Sequence, residues 1–195
     1  MAGHFEALPG GGAAVALDEV ELSILRSLAV QLLELIGPGD EPVEGEDPLA
    51  ALFAEGPSEP PSDPALKRLF PDAYGDEDEE LRAAAADFRR YTEKDLRARK
   101  REDALAVIRS LDALSSSSGE GGAILKLTAD ESRSWLGALN DLRLTIGTRL
   151  EVTDEDESGE LYRLPDTDPR KPMVMAYLWL GALQESLVET LLPGA

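Results

Sequence analysis

Residues 139 to 150 read Leu-Asn-Asp-Leu-Arg-Leu-Thr-Ile-Gly-Thr-Arg-Leu. At ~100° per residue, Leu139, Leu142, Ile146 and Leu150 form one helical stripe, and Arg143 falls inside it. A guanidinium among leucines needs a partner, because an unpaired buried charge is too costly to keep. Two kinds of chemistry suit such a residue. It can fasten one helix to another, or it can hold a carboxylate or other small anion at a cleft. A second polar intrusion matches it. The last apolar stripe, Met173, Tyr177, Leu180, Leu183, Leu187 and Leu191, contains Gln184. The spacing predicts that these two helices pack together. Arg143 is then satisfied by Gln184, by an acid such as Glu34 or by a helix-end carbonyl. Asn140 and Arg149 flank the stripe, and Asp141 is expected to point into solvent.

The bases are unevenly placed. Arg89, Arg90, Lys94, Arg97, Arg99, Lys100 and Arg101 lie within thirteen residues and are opposed there by Glu93 and Asp95 alone. Such a stripe on a helix suits an acidic protein partner or nucleic acid; equally, it can match acidic segments of its own chain. The loop from Thr153 to Glu160 places Asp154, Asp156, Ser158 and Gly159 at positions 1, 3, 5 and 6 of a calcium loop. Position 12, which must supply a bidentate Glu, is Pro165, so calcium binding is not expected. Gly10 to Gly12 lacks the Lys and Ser/Thr of a phosphate loop and precedes a strand.

Composition narrows the classes further. The 195 residues carry 39 acids against 19 bases, a formal charge of −20. A field of that sign repels nucleic acid and anionic membranes. There are no cysteines and one histidine, His4. Disulfides, thiol catalysis and thiolate metal sites are excluded, and a histidine relay would have to run through a chain end. Carboxylate pairs are plentiful but none is distinguished by context, so no hydrolase dyad is assigned. No apolar run approaches a membrane span and no signal peptide is visible, which predicts a cytoplasmic protein. No catalytic residue, metal set or cofactor is assigned.

These residues need elements to position them. Residues 5 to 8 and 13 to 17 flank the turn Pro9 to Gly12 and read as a hairpin. Asp18 with Glu21 forms a capping box ahead of Leu22, Leu25, Leu28, Leu32 and Ile36, and Gly37-Pro38-Gly39 ends that helix. Residues 37 to 64 hold seven of the 13 prolines, eight acids and no Lys or Arg, which predicts a flexible acidic connection with at most a helical turn at Leu49 to Ala54. A short helix over Ala65 to Phe70 follows. Residues 76 to 114 make the longest helical region, with Leu81, Ala85 and Phe88 facing inward and a kink near Thr92. Four serines and Gly-Glu-Gly-Gly form a turn. The strand Ala123 to Leu127, the capping pair Thr128 and Glu131 and a helix to Leu150 repeat the opening pattern at an offset of 110 residues. The two strands are expected to share a sheet, since a lone hairpin is too small to stand alone. Trp135 and Trp179 read as core or core-edge residues. The fold expectation is a mainly α single domain, residues 1–195, of about five or six helices with a small β-hairpin or three-stranded element.

Four segments together carry a family resemblance: LKRLFPDAY (66 to 74), DFRRYTEKDLRARK (87 to 100), ALNDLRLTIGTRLEV (138 to 152) and YLWLGALQESLVETLL (177 to 192). In order and spacing they resemble an actinobacterial family of unknown function that includes proteins named oxidative-stress regulators. Its members are typically encoded near the Clp protease adaptor and cysteine-synthesis genes. The resemblance implies a cytoplasmic regulatory protein, not an enzyme; some members are described as acting on transcription with a sigma factor through a redox-active cysteine pair. This chain has no cysteine. A disulfide switch is therefore excluded, and a redox role would fall to Met173, to Met175 or to another component.

The resulting expectation is a non-enzymatic regulator acting on transcription or the stress response through a protein partner. Contact would run through Arg89 to Arg101 or through the exposed part of the last helix at Leu178 and Trp179, which also suits a homodimer. The alternatives are direct DNA binding and a small-anion site at Arg143. Membrane association is not expected.

Overall fold

The computed structural model describes residues 3–38, 56–75, 77–115, 122–153 and 161–192. Among the described residues the structure is mainly helical, with five helices and a three-stranded antiparallel sheet. In chain order the elements are β1 (Glu6–Ala7), β2 (Ala13–Leu17), α1 (Glu19–Ile36), α2 (Pro64–Leu69), α3 (Glu79–Ser115), β3 (Ala123–Leu127), α4 (Ala129–Arg149), a short 3-10 turn (Leu161–Arg163) and α5 (Lys171–Leu191). The predicted turn at Leu49 to Ala54, the serine turn and the calcium-loop positions Asp154, Asp156, Ser158 and Gly159 lie outside the described residues.

The sheet order is β1-β2-β3. β2 pairs with β3 from Ala13↔Leu127 to Leu17↔Ala123, so the two repeated strands lie side by side. Alternation then decides the faces. Ala13, Val15, Leu17, Leu125 and Leu127 point into the core, and Ile124 points out. The hairpin closes tightly at Gly12, whose φ is +93° and whose absent side chain would meet the Leu127 carbonyl oxygen at 2.2 Å. Only glycine fits there. Both capping boxes form. Asp18 Oδ1 accepts from the Glu21 N–H at 2.8 Å, and Thr128 Oγ1 from the Glu131 N–H at 3.3 Å.

Trp135 is fully buried near the centre. The ring of Phe5 meets it edge-on at 6.0 Å, and its indole N–H donates to Ser110 Oγ at 3.0 Å. The Phe5 N–H in turn donates to Ser186 Oγ of α5 at 3.1 Å. These contacts tie the N-terminus, α3, α4 and α5 to one core.

Several expectations are corrected. α3 runs unbroken for 37 residues, with no second start at Thr92; the Thr92 hydroxyl donates back to the Phe88 carbonyl at 2.8 Å. Phe88 is 48% exposed, not inward. The buried face of this half of α3 is Ala85, Arg89 and Glu93, four residues apart, so a paired charge occupies the position expected for an aromatic ring. Met173 is also exposed, and Val174, one residue on, is the buried start of the α5 stripe. Asp141, expected in solvent, is buried.

Candidate interaction site on the last two helices

The basic segment of α3 divides between interior and surface. Arg89 is 4% exposed. It is held by Glu93, by Asp72 at 2.8 Å and by the Phe70 carbonyl at 3.0 Å. Arg97 stacks over the Phe70 ring at 4.4 Å, pairs with Glu93 at 2.7 Å and donates to the Ile36 carbonyl. Arg101 donates to the Gly37 carbonyl. Two guanidinium groups thus satisfy the last carbonyls of α1, where helices leave acceptors unpaired and favour positive charge. Lys100 pairs with Asp141 of α4 at 2.6 Å. Burial pushes the Asp141 carboxyl above the usual carboxylate range, outweighing the downward pull of Lys100. Arg89, Arg97, Lys100 and Arg101 therefore fasten α3 to its neighbours, as the match within the chain anticipates, and do not stand as outward docking residues. Arg90 and Lys94 are half-buried and Arg99 is exposed. Arg90 pairs with Asp87 at 2.9 Å.

The other polar pair lies between α4 and α5. Arg143 Nη1 donates to Gln184 Oε1 at 2.7 Å. Gln184 Nε2 stands 3.5 Å from Asn140 Oδ1. The guanidinium also lies over the Tyr177 ring, 5.3 Å from its centroid. Its Nε is buried without a hydrogen-bond partner. Glu34 takes no part, and Arg149 turns away to pair with Asp63 at 2.6 Å. Gly147 allows this crossing, since a Cβ there would stand 3.2 Å from the Tyr177 ring.

Grooves open on both sides of this crossing. One, of about 430 Å³, is lined by Arg68, Arg143, Leu144, Gly147, Thr148, Val152, Thr153 and Tyr177. The other, of about 460 Å³, shares Arg143 and Tyr177 and continues past Leu178, Gly181 and Ala182 to Gln184 and Glu185. Arg68 was not singled out in the sequence. It reaches the groove because α2 packs on α4. Its position in LKRLF carries no local signal of this.

The outer face of α5 is partly apolar. Met175, Leu178 and Leu192 are 53%, 36% and 58% exposed. With Ala182, and counting Leu192 just past the helix end, they fall within about a 100° arc, with Glu185 and Glu189 among them. Trp179 packs partly buried against the core, the core-edge place read for it in the sequence, and does not join Leu178 on this surface. Among the described residues, no helix is long and apolar enough to cross a membrane.

Fold and site together define a mainly helical single-sheet protein whose most distinctive face is the α4–α5 crossing. The chain belongs to the family described as a domain of unknown function, DUF2017, whose model matches residues 2–191. It is similar to a Mycobacterium leprae protein, 32% identical over 180 residues that cover 88% of this chain and 79% of that one. It is also similar to the oxidative stress regulator AosR of Mycobacterium bovis, 29% identical over 176 residues, 88% of this chain and 78% of the relative. The Mycobacterium tuberculosis protein of the same name matches to the same extent. No solved structure matches.

Proposed function

We propose that this protein is a non-enzymatic cytoplasmic regulator in a stress response, and that it acts by holding a protein partner against the outer face of α5. The observation that carries this reading is the exposed row Met175, Leu178, Ala182 and Leu192, on a helix whose opposite face is fully buried at Leu180, Leu183 and Leu187. Apolar side chains gathered on one surface favour association. The relatives named oxidative stress regulator AosR support the stress-response assignment. Direct DNA contact has less support, since at least five of the seven clustered bases are engaged within the chain.

The test is a crosslinking pull-down from the native host with the full chain. Leu178→Asp is expected to lose the captured partner, and charge reversal at the exposed Arg99 is expected to keep it. Retention by Leu178→Asp, with loss on Arg99→Glu, would move the contact to α3 and overturn the assignment.

A further inference from the structure

We propose that the groove between Arg68 and Arg143 binds a small dicarboxylate. The argument starts from charge pairing. Among the described residues, three other buried or half-buried cations have carboxylates: Arg89 has Glu93 and Asp72, Arg97 has Glu93, and Lys100 has Asp141; Arg101 is held by a backbone carbonyl at the end of α1. Arg143 has a neutral amide and an aromatic ring. In a chain with 39 acids and 19 bases, carboxylates are the commonest charged groups available. A partly buried guanidinium left without one has a standing affinity for an anion from outside.

Arg68 lines the same groove and forms no ion pair with any described residue. The Tyr177 hydroxyl, also in the lining, makes no hydrogen bond to any described residue and is free to donate. Among the described residues that line this groove there is no carboxylate, although the chain is strongly acidic overall. Leu144 and Val152 give it an apolar wall. Two cations, a hydroxyl donor and an apolar wall match a short carbon chain with a carboxylate at each end. A volume of about 430 Å³ lies in the range of small-ligand sites. The field of the whole chain opposes anions, so selectivity rests on the local guanidinium pair.

The experiment is calorimetric titration of the full chain with glutarate, with inorganic phosphate and hexaglutamate as separate arms. Glutarate is expected to bind saturably, more tightly than either other probe. Arg68→Gln, an exposed change that leaves the core untouched, is expected to weaken it at least tenfold. Arg82→Gln, another exposed charge removal, is expected to leave it unchanged. A chain carrying Asp154→Asn, Glu155→Gln, Asp156→Asn and Glu157→Gln tests whether the acids that follow Thr153 in sequence compete, and is expected to bind glutarate at least as tightly. Leu178→Asp is expected to keep glutarate binding, which separates this site from the partner-binding reading. Absence of saturable glutarate binding in both the native and loop-neutralised chains overturns the proposal. So does an equal loss in Arg68→Gln and Arg82→Gln, or binding of hexaglutamate or phosphate in preference to glutarate.

Discussion

Arg143 of α4 and Gln184 of α5 meet at 2.7 Å, forty-one residues apart in sequence, as a charged donor and a neutral acceptor. Replacing the acceptor by an ionised one separates the two uses of this arginine. Gln184→Glu is expected to stabilise the fold by about 1 kcal/mol, because a charge-assisted pair outweighs a charged-to-neutral hydrogen bond. For a chain of this size that is a rise of about 2–4 °C in the unfolding midpoint. The same change is expected to abolish glutarate binding by supplying the missing counter-charge. Thermal melts and the glutarate titration together check it. A variant that is stabilised but binds unchanged would show that Arg143 is a fastener alone.

Glu93 is the pivot of the α3 network, since it pairs with both Arg89 and Arg97. Arg89 and Glu93 are each 4% exposed. Removing Glu93 strips the buried Arg89 of its buried counter-charge and leaves it only the half-exposed Asp72; breaking a buried pair typically costs about 3–5 kcal/mol. Glu93→Ala is expected to lose stability in that range by urea denaturation. Glu102→Ala breaks the exposed pair with Arg109 and is expected to change stability by less than about 1 kcal/mol. Similar losses in the two variants would refute a special role for the buried network.

The capping boxes and the Glu93 network show which parts of the fold can be read locally. Asp18 with Glu21, and Thr128 with Glu131, declare helix starts because both partners lie within one turn. The repeated strands were legible for a similar reason, since alternation and flanking glycines are local. The inner face of α3 was not. Periodicity assigns burial by apolarity, and at Arg89 and Glu93 the buried residues are charged: Arg89 is held by Phe70 and Asp72 just after α2, and Glu93 by Arg97, which itself reaches the α1 terminus. Asp141 was misplaced on the same ground, because its partner Lys100 is forty-one residues away. At the candidate site, Arg143 and Gln184 stood out as polar breaks in apolar stripes. Arg68 did not, because nothing in its own segment signals that α2 lies along α4.

The caps also give an additivity test. They sit at opposite ends of the paired strands, because Leu17 faces Ala123 and Ala13 faces Leu127. Asp18→Ala and Thr128→Ala are each expected to cost about 1 kcal/mol. The double variant should show the sum within about 0.5 kcal/mol, as distant sites without shared partners do. Chemical denaturation of the three variants measures this. Strong coupling would mean that the strand pair transmits the loss of one cap to the other.

Asp141 and Asp63 should bend the pH dependence of stability in opposite directions. Burial raises the Asp141 carboxyl pKa in the fold. The native state then holds the proton more tightly, so its contribution falls as pH rises from the ordinary carboxylate value through the raised one. Asp63 is lowered, first by its hydrogen bond to Arg149 and then by the backbone N–H of Leu66. Its contribution is present above the ordinary value and is lost as pH falls through the lowered one. Stability of the native chain relative to Asp141→Asn is therefore expected to decrease with rising pH across the acid range. Relative to Asp63→Asn it is expected to increase. Denaturation series at matched ionic strength check both slopes, and slopes of the same sign would contradict the assignment for Asp141.

The surface of α5 also bears on redox response, because the chain has no cysteine and its relatives include proteins named oxidative stress regulators. Met173 and Met175 are 44% and 53% exposed at the start of this helix. Peroxide transfers one oxygen atom to each thioether, giving methionine sulfoxide and water, and converts an apolar side chain into a polar one. At Met175, which stands on the apolar docking row, that change opposes association. Peroxide treatment is expected to reduce partner capture several-fold in the native chain, with mass spectrometry locating the added oxygen. The Met173→Leu, Met175→Leu double variant is expected to keep its capture after the same treatment. Thiol alkylation is expected to leave both chains unaffected. Equal loss in the double variant would place the sensitive residue elsewhere and remove α5 from any redox response.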